Sequence, residues 1–161
     1  MNSEFYDNDI YALASKNKTL LSVTIELTTR CNWRCKHCYL PSYVNKGISR
    51  ECLYELFQDL REMGTFELLF TGGEIFTRPD TLEIIRDARE MFFDVKLFTN
   101  VSLLNEEIIK ALAELNISQV SCTVFSMNEN IHDQITSVKG SLKKTVANLN
   151  LLKEYLSLIH I

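Results

Sequence analysis

Three cysteines lie within eight residues of this chain, at Cys31, Cys35 and Cys38. Three thiolates can bind an iron–sulfur cluster, but they leave one iron without a protein ligand. Clusters that only transfer electrons are commonly held by four cysteines, and an open coordination position is typical of a metal site that does chemistry. Basic neighbours stabilise thiolates. The basic residues flanking these cysteines are Arg30, Arg34, Lys36 and His37.

Two other interpretations of the cysteines remain open. The spacing i, i+4, i+7 would place them on one face of a helix, where cysteine packs as a small apolar residue. A zinc site with His37 as the fourth ligand is the second alternative. It requires adjacent residues to reach one tetrahedral ion, which is awkward. The segment lies between a strand-like run and Pro41, where a loop is more natural than a long buried helix.

A second motif, Gly72-Gly73-Glu74, directly follows a short apolar run that predicts a buried strand. Parallel α/β proteins bind ligands at the carboxyl ends of their strands. Glycines let a ligand approach the backbone without meeting a side chain. A glutamate can accept a charge-assisted hydrogen bond from an ammonium group. The motif therefore predicts a ligand site at this strand end.

Together, CxxxCxxC followed by Tyr39 and the later Gly-Gly-Glu motif resemble the signature of the radical S-adenosylmethionine (SAM) superfamily. The resemblance implies a [4Fe-4S] cluster on Cys31, Cys35 and Cys38, whose free iron binds the amino and carboxylate groups of SAM. It implies that the Gly-Gly-Glu motif binds the SAM amino group and that Tyr39 lies against the adenine. The residues expected to contact SAM are Tyr39, Gly72, Gly73, Glu74, Thr99, Asn100 and Thr123.

The last three of these contacts rest on positions where the chain departs from many relatives. Thr99 and Asn100 end the third predicted strand, but Val101 stands where many relatives have glycine. Thr123 occupies a position where relatives often carry a serine, and Phe125 one where many have an aspartate. Simple hydrogen bonding at strand ends is the alternative role for these polar residues.

The resemblance also implies an activity. The reduced cluster would pass one electron to the SAM sulfonium, and cleavage would give methionine and a 5′-deoxyadenosyl radical that abstracts hydrogen from a substrate. The expected partners are a peptide or small-molecule substrate and an electron donor such as flavodoxin or ferredoxin. Residues 131–136 and 139–141 resemble a segment of peptide-modifying members with SPASM-type C-terminal domains. The alternatives are a non-catalytic iron–sulfur or zinc module, or an inactive fragment of an enzyme.

Within that segment, the residues alone predict ordinary structural roles. Asp133 can satisfy nearby backbone N–H groups, and Gly140-Ser141 predicts a turn followed by a helix cap. His132 is interpreted as structural in preference to a proton carrier. Cys52 and Cys122 fall in a predicted helix and a predicted strand, and we interpret both as packing residues.

Strands and helices alternate along the chain, which predicts a parallel sheet with right-handed crossovers. Predicted strands cover 21–28, 66–70, 94–99 and 118–125. Ser49, Pro79, Asn105 and Ser141 are predicted at the starts of the helices between and after them. The pattern predicts an α/β fold with about four βα units present, and the resemblance implies that they are the N-terminal part of a parallel (β/α)6 partial TIM barrel.

The predicted organisation is a polar lead-in over 1–18 with at most one helical turn, a truncated radical SAM core over 19–155, and a tail over 156–161. The tail matches a translation of a DNA-library adapter, which predicts a non-native end; the start of a fifth strand is the alternative. A net charge of −4 argues against general nucleic-acid binding. No apolar run is long enough to cross a membrane, and crowded thiols favour the reducing cytoplasm.

Overall fold

Five parallel strands form one sheet in the order β1-β2-β3-β4-β5. They are seen in a computed structural model that describes residues 4–155 and 159–160. Each strand pairs with the next along the chain, as in the wall of a barrel. The strands are β1 (Ser22–Glu26), β2 (Glu67–Thr71), β3 (Asp94–Phe98), β4 (Gln119–Ser121) and β5 (Ile159–His160). The prediction of a parallel α/β sheet is confirmed.

In the part of the chain that the structure describes, six α-helices lie before and between these strands. They are α1 (Glu4–Asn17), α2 (Arg50–Glu62), α3 (Thr81–Glu90), α4 (Glu106–Glu114), α5 (Glu129–Thr136) and α6 (Ser141–Tyr155). Helix α2 contacts α3, α3 contacts α4, and α4 contacts α6. The apolar faces of α2, α3, α4 and α6 share one core with β1 to β4, in which Phe57, Phe70 and Phe93 are fully buried.

Two of the predicted helix caps are confirmed by side-chain hydrogen bonds. Ser49 accepts from the backbone N–H of Cys52, and Asn105 accepts from that of Ile108. The Pro79 prediction is wrong, because Asp80 is the N-cap of α3 and the proline precedes it. A 3-10 turn at Ile75–Thr77 takes up the intervening chain.

Other departures concern the two ends of the core. Residues 4–17 form the helix α1, where the sequence predicted at most one turn. Ala14 of this helix is buried, although the helix is rich in polar residues. Strand β4 is three residues long, shorter than predicted, so Thr123 follows it. Helix α5 was not predicted at all.

Residues Ile159–His160 pair in parallel with β4, opposite Val120 and Ser121. The rest of the 156–161 segment lies outside the described residues. Its predicted non-native origin stays a prediction. No helix in the described part of the chain is long and apolar enough to cross a membrane.

Candidate functional site

An open cavity of about 330 Å³ lies where β1 to β4 end. Its wall combines the loop after β1 with the residues that end or follow β2, β3 and β4. Ligands of parallel α/β proteins bind at this edge of the sheet. The predicted site residues that line the cavity are Cys31, Cys35, Cys38, Tyr39, Gly72, Gly73, Thr99, Asn100 and Thr123.

The three cysteines belong to one irregular segment, residues 27–49, which we call the cysteine loop. It contains no helix, so the interpretation of the cysteines as a helical core stripe is wrong. All three are half-buried. The backbone N–H of Cys38 donates to the carbonyl of Cys35 at 3.0 Å. The N–H of Trp33 donates to Cys31 Sγ at 3.4 Å, a bond that favours a thiolate there.

The raised pKa values of the cysteine thiols are consistent with a binding site for a positively charged metal centre. Burial, followed by the neighbouring Cys31 and Cys38, raises the pKa of Cys35 to about 11. Burial is also the main cause of the raised pKa of Cys31. Thiols that oppose one another's ionisation in this way become good ligands once a cationic metal centre compensates their charge.

The donor set fits a cluster better than a single zinc ion. No three His, Cys, Asp or Glu side chains converge on one ion position within residues 10–155, whose side chains the structure describes. A tetrahedral zinc ion requires such convergence, whereas a cluster binds each thiolate through a different iron. His37 instead packs its ring edge-on against Phe125, with centroids 4.7 Å apart.

The Gly-Gly-Glu motif packs against the chain that leads into Cys31. Gly73 N–H donates to Thr28 O at 2.8 Å, and Glu74 N–H donates to Arg30 O at 2.7 Å. A Cβ on Gly73 would lie 2.3 Å from Arg30 O, and one on Gly72 would lie 2.3 Å from Thr28 O. The glycines therefore permit two backbone segments to meet, a requirement additional to ligand approach.

Glu74 does not line the cavity, because its side chain is fully buried. Its Oε1 accepts from Thr99 Oγ1 at 2.8 Å and from Phe76 N–H at 3.1 Å, and its Oε2 accepts from Asn100 N–H at 2.7 Å. Burial raises its pKa, although these hydrogen bonds oppose the shift. We call Glu74, Thr99 and Asn100 the Glu74 network. It joins the end of β2 to the end of β3.

The other members of this network are also committed to protein contacts. Thr99 Oγ1 donates to Glu74 and accepts from Val101 N–H. Asn100 Nδ2 donates at 2.9 Å to Asn32 Oδ1, in the cysteine loop. Val101 has φ of 55°, so the turn keeps the left-handed conformation that suits glycine despite a β-branched residue.

The remaining predicted residues differ in exposure. Tyr39 is 69% exposed. Its hydroxyl donates to Glu26 Oε1 at 2.5 Å, and this bond together with burial raises the pKa of Tyr39 to about 12. Thr123 is exposed after β4.

Burial and the nearby Glu74 raise the pKa of Cys122 to about 12, as expected for a packing thiol. Cys52 is exposed, so its predicted packing role is wrong.

Helix α5, which the sequence analysis missed, binds the cysteine loop directly. Its carbonyls Thr136 O and Ile135 O accept from Arg34 N–H at 3.0 Å and Lys36 N–H at 2.9 Å. A start signal for this helix was present, since Asn128 is followed by an acidic residue. In the structure Asn128 caps α5.

The chain matches a known protein family over most of its length. Residues 25–160 match the family model described as the Radical SAM superfamily. The chain is 33% identical over 138 residues to the antilisterial bacteriocin subtilosin biosynthesis protein AlbA of Bacillus subtilis, covering 84% of this chain and 31% of that protein. It is 30% identical over 132 residues to the AdoMet-dependent heme synthase of Methanosarcina barkeri, covering 80% of this chain and 38% of that protein.

Solved structures agree on the fold. SuiB of Streptococcus suis bound to S-adenosylmethionine gives a TM-score of 0.72 at 15% identity, covering 96% of this chain and 36% of SuiB. SuiB bound to precursor peptide SuiA gives 0.72 at 16% identity, covering 89% and 33%. The chain thus spans about a third of the length of these relatives. Because the family match extends over most of its residues, the chain belongs to the radical SAM superfamily, whose members are enzymes that use a [4Fe-4S] cluster and SAM.

Proposed function

We propose that the protein cleaves SAM reductively at a [4Fe-4S] cluster bound by Cys31, Cys35 and Cys38, and so starts a radical reaction on a peptide substrate. The observation that carries this proposal is the shared cavity. Three thiols, the Gly72-Gly73 backbone and the polar ends of β3 and β4 all line it. The proposal is supported by this sharing, because candidate ligands for a cluster lie in one cavity with groups that suit a zwitterionic cofactor.

In this proposal the chain holds and orients its cofactors. A [4Fe-4S] cluster held by Cys31, Cys35 and Cys38 would supply the electron for reductive cleavage of SAM. The backbone of Gly72 and Gly73 accepts the SAM ammonium, and the buried negative charge of Glu74 favours that cation without touching it. Tyr39 offers its exposed ring to the adenine. Thr99, Asn100 and Thr123 complete the polar wall, with Thr123 the freest of the three to bind a ligand.

A peptide is the substrate we favour. AlbA is named for bacteriocin biosynthesis and SuiB has been solved with a precursor peptide. A small-molecule substrate is the second candidate, because the heme synthase is almost as similar to this chain as AlbA is.

The test is anaerobic cluster reconstitution followed by electron paramagnetic resonance of the reduced protein with and without SAM. We expect a reduced [4Fe-4S] signal that changes shape when SAM binds, and formation of 5′-deoxyadenosine and methionine. The matched control is Cys38→Ala, which removes one ligand. A folded chain with a signal indifferent to SAM would overturn the proposal in favour of an electron carrier.

The substrate class is tested by isotope transfer. Deuterium from a labelled precursor peptide, with SuiA as the first one tried, should appear in 5′-deoxyadenosine. Transfer from a labelled porphyrin, with none from peptides, would instead support the small-molecule candidate.

We also propose that an acidic electron donor, of the flavodoxin or ferredoxin kind, docks on the cysteine loop in the cytoplasm. Residues 27–49 contain four of the 17 Lys and Arg residues and none of the 21 Asp and Glu residues. Those cations, Arg30, Arg34, Lys36 and Lys46, are all exposed. An oppositely charged partner would be steered to this loop in a salt-dependent way.

Charge reversal tests the docking surface. Lys36→Glu combined with Lys46→Glu should slow cluster reduction by flavodoxin at low salt but leave reduction by dithionite unchanged. Lys143→Glu, on the exposed face of α6, is the control. Equal effects of both changes would place docking elsewhere.

A further inference from the structure

A buried polar network joins α5 to α6 beside the cysteine loop. Ser141 Oγ lies 2.8 Å from His132 Nδ1, 2.7 Å from Thr136 Oγ1 and 2.8 Å from Asp133 Oδ1. Asp133 also accepts from the backbone N–H groups of Gly140 and Leu142. His132 and Thr136 have no exposed surface, and Ser141 is 3% exposed. We call these four side chains the Ser141 network.

The network corrects the cap predicted for α6. Ser141 is the first residue of the helix, and its hydroxyl donates to Asp133. Asp133 therefore supplies the capping carboxylate from the preceding helix. The hydrogen bond that caps α6 therefore comes from α5 and joins the two helices.

The donors and acceptors of the network determine which tautomer His132 adopts. An ionised Asp133 can only accept, so it takes the single proton of the Ser141 hydroxyl. Ser141 can then only accept from His132, which places the imidazole proton on Nδ1. Burial lowers the pKa of His132, which favours this neutral form. Its Nε2 is buried and has no hydrogen-bond partner among the described residues.

This oriented imidazole packs against the cysteine loop. Its ring meets Trp33 edge-on, at 88° and 5.7 Å between centroids. Trp33 is 4% exposed and lies in the chain between Cys31 and Cys35. Helix α5 reinforces this contact through the backbone bonds that Arg34 and Lys36 donate to it. The network therefore connects to the middle of the cysteine motif by a ring contact and by two backbone bonds.

We propose that the Ser141 network is a positioning device for the cluster ligands. Ser141 and Asp133 hold His132 in one tautomer and one orientation, and His132 and α5 hold the loop segment that carries Cys35. None of the four side chains lines the cavity. They act through the loop and do not touch the cofactors. The part of this proposal that concerns the cluster rests on the proposed function; the ordering of the loop does not.

The test compares two hydroxyl deletions in the same helix. Ser141→Ala removes the centre of the network. Thr145→Val removes a fully buried hydroxyl one turn later that has no partner among the described residues. Mutation of a residue that orients a metal ligand typically lowers metal affinity by about 10-fold to 100-fold. We therefore expect Ser141→Ala to release iron to a chelator about tenfold faster than the parent, with Thr145→Val unchanged.

Two further measurements separate positioning from general stability. The electron paramagnetic resonance signal of the reduced, SAM-bound cluster should broaden in Ser141→Ala and recover in Ser141→Thr, which restores the hydroxyl. Amide hydrogen exchange at Arg34 and Lys36 should accelerate about tenfold in Ser141→Ala. This exchange is measurable with or without iron, so failure to bind a cluster would overturn the proposed function and still leave the loop ordering testable.

The proposal is overturned if Ser141→Ala matches Thr145→Val in iron release, spectrum and amide exchange. Should Ser141→Ala fail to fold, His132→Phe takes its place. It keeps an aromatic ring against Trp33 but removes the Nδ1–H that orients it. Unchanged iron release and exchange in that variant would equally overturn the proposal.

Discussion

The Glu74 network and the Ser141 network hold different parts of the cysteine loop by different means. Near the Glu74 network, backbone groups of Gly73 and Glu74 bind residues 28–30, just before the first cysteine. At the Ser141 network, α5 binds Arg34 and Lys36, between the cysteines. The first is built on strand ends, which the sheet fixes. The second is built on a junction of two helices, where side-chain hydrogen bonds to Ser141 and Asp133 add to the backbone bonds of the connecting turn.

The difference also extends to charge. Glu74 is fully buried and accepts only from neutral donors, so the ionised carboxylate has no cation beside it among the described residues, and burial raises its pKa. A buried uncompensated charge is costly, and a cationic ligand in the cavity would relieve that cost. Asp133 instead neutralises the amino end of a helix. One network is therefore electrostatically incomplete without a ligand, and the other is complete in itself.

The largest expected effect comes from removing a cluster ligand from the cysteine loop that the two networks hold at different places. Cys35→Ala should abolish cluster binding, while the loop stays folded because its backbone bonds are independent of that side chain. Iron content after reconstitution is the measurement. Cys52→Ala, an exposed cysteine of α2, should retain the iron of the parent. Full iron occupancy in Cys35→Ala would refute the ligand assignment.

Glycine substitutions compare the rigidity of the two regions. Gly73→Ala places a Cβ 2.3 Å from Arg30 O and 2.6 Å from Thr29 O, and backbone cannot yield as a side chain can. We expect a loss of about 3 kcal/mol in the free energy of unfolding.

Gly140→Ala is the matched change beside Asp133. It meets no atom within 4 Å but keeps φ at +76°, so only backbone strain of about 1–2 kcal/mol is expected. Urea unfolding measures both variants. A Gly140→Ala loss equal to that of Gly73→Ala would mean that the helix junction is as tightly constrained as the strand ends.

The two regions also differ in how well the sequence predicted them. The cysteine spacing and Gly72-Gly73-Glu74 are local patterns, and the strand that precedes the glycines fixed where they would lie. The Ser141 network depends on α5, which has eight residues and two aliphatic ones, Ile131 and Ile135, so its apolar stripe is too short to be told from a loop. Asp133 and Ser141 were each assigned a local role because their partners lie across a helix junction.

Glu74 shows a different limit. The pattern correctly predicted its position at a strand end, but it could not predict which way the side chain points. The carboxylate turns toward Thr99 and Asn100 on the neighbouring strand. Hydrogen bonds between strands are tertiary, and no spacing in the sequence encodes them.

Glu74→Gln tests whether the charge of the network acts on the cavity. Two unit charges about 10 Å apart interact by about 1.7 kcal/mol at an effective dielectric constant of about 20. We therefore expect SAM affinity, measured by calorimetry on the cluster-loaded chain, to fall about tenfold. The amide would also oppose a backbone N–H, at Asn100 or at Phe76, and cost about 1–3 kcal/mol of stability.

Thr99→Val separates those two consequences. It removes the hydrogen bond to Glu74 and the acceptor of Val101 N–H but keeps the charge, so stability should fall by about 1–3 kcal/mol. SAM affinity should stay close to that of the parent, because the hydroxyl is already used by these two protein contacts. If Thr99→Val weakens SAM binding as much as Glu74→Gln does, the hydroxyl matters for SAM binding and the charge does not.

The smallest expected effect is a difference in pH dependence, measured by urea unfolding of the cluster-free chain from about pH 3 to about pH 8. Burial alone would raise the pKa of Asp133, but hydrogen bonds from Gly140, Ser141 and Leu142 lower it below 3.8. Its contribution is therefore present above the unfolded pKa and lost as pH falls through the folded pKa. Asp133→Asn should flatten this acid limb.

Glu74 has the opposite sign. Its pKa is raised above 4.5 by burial, so the folded chain holds its proton more tightly than the unfolded chain does. Its contribution is present below the unfolded pKa and declines as pH rises from there to the folded pKa. Glu74→Gln should remove this decline and leave the acid limb of Asp133 in place. If Glu74→Gln and Asp133→Asn changed the pH dependence of stability in the same way, the proposed electrostatic difference between the Glu74 network and the Ser141 network would be wrong.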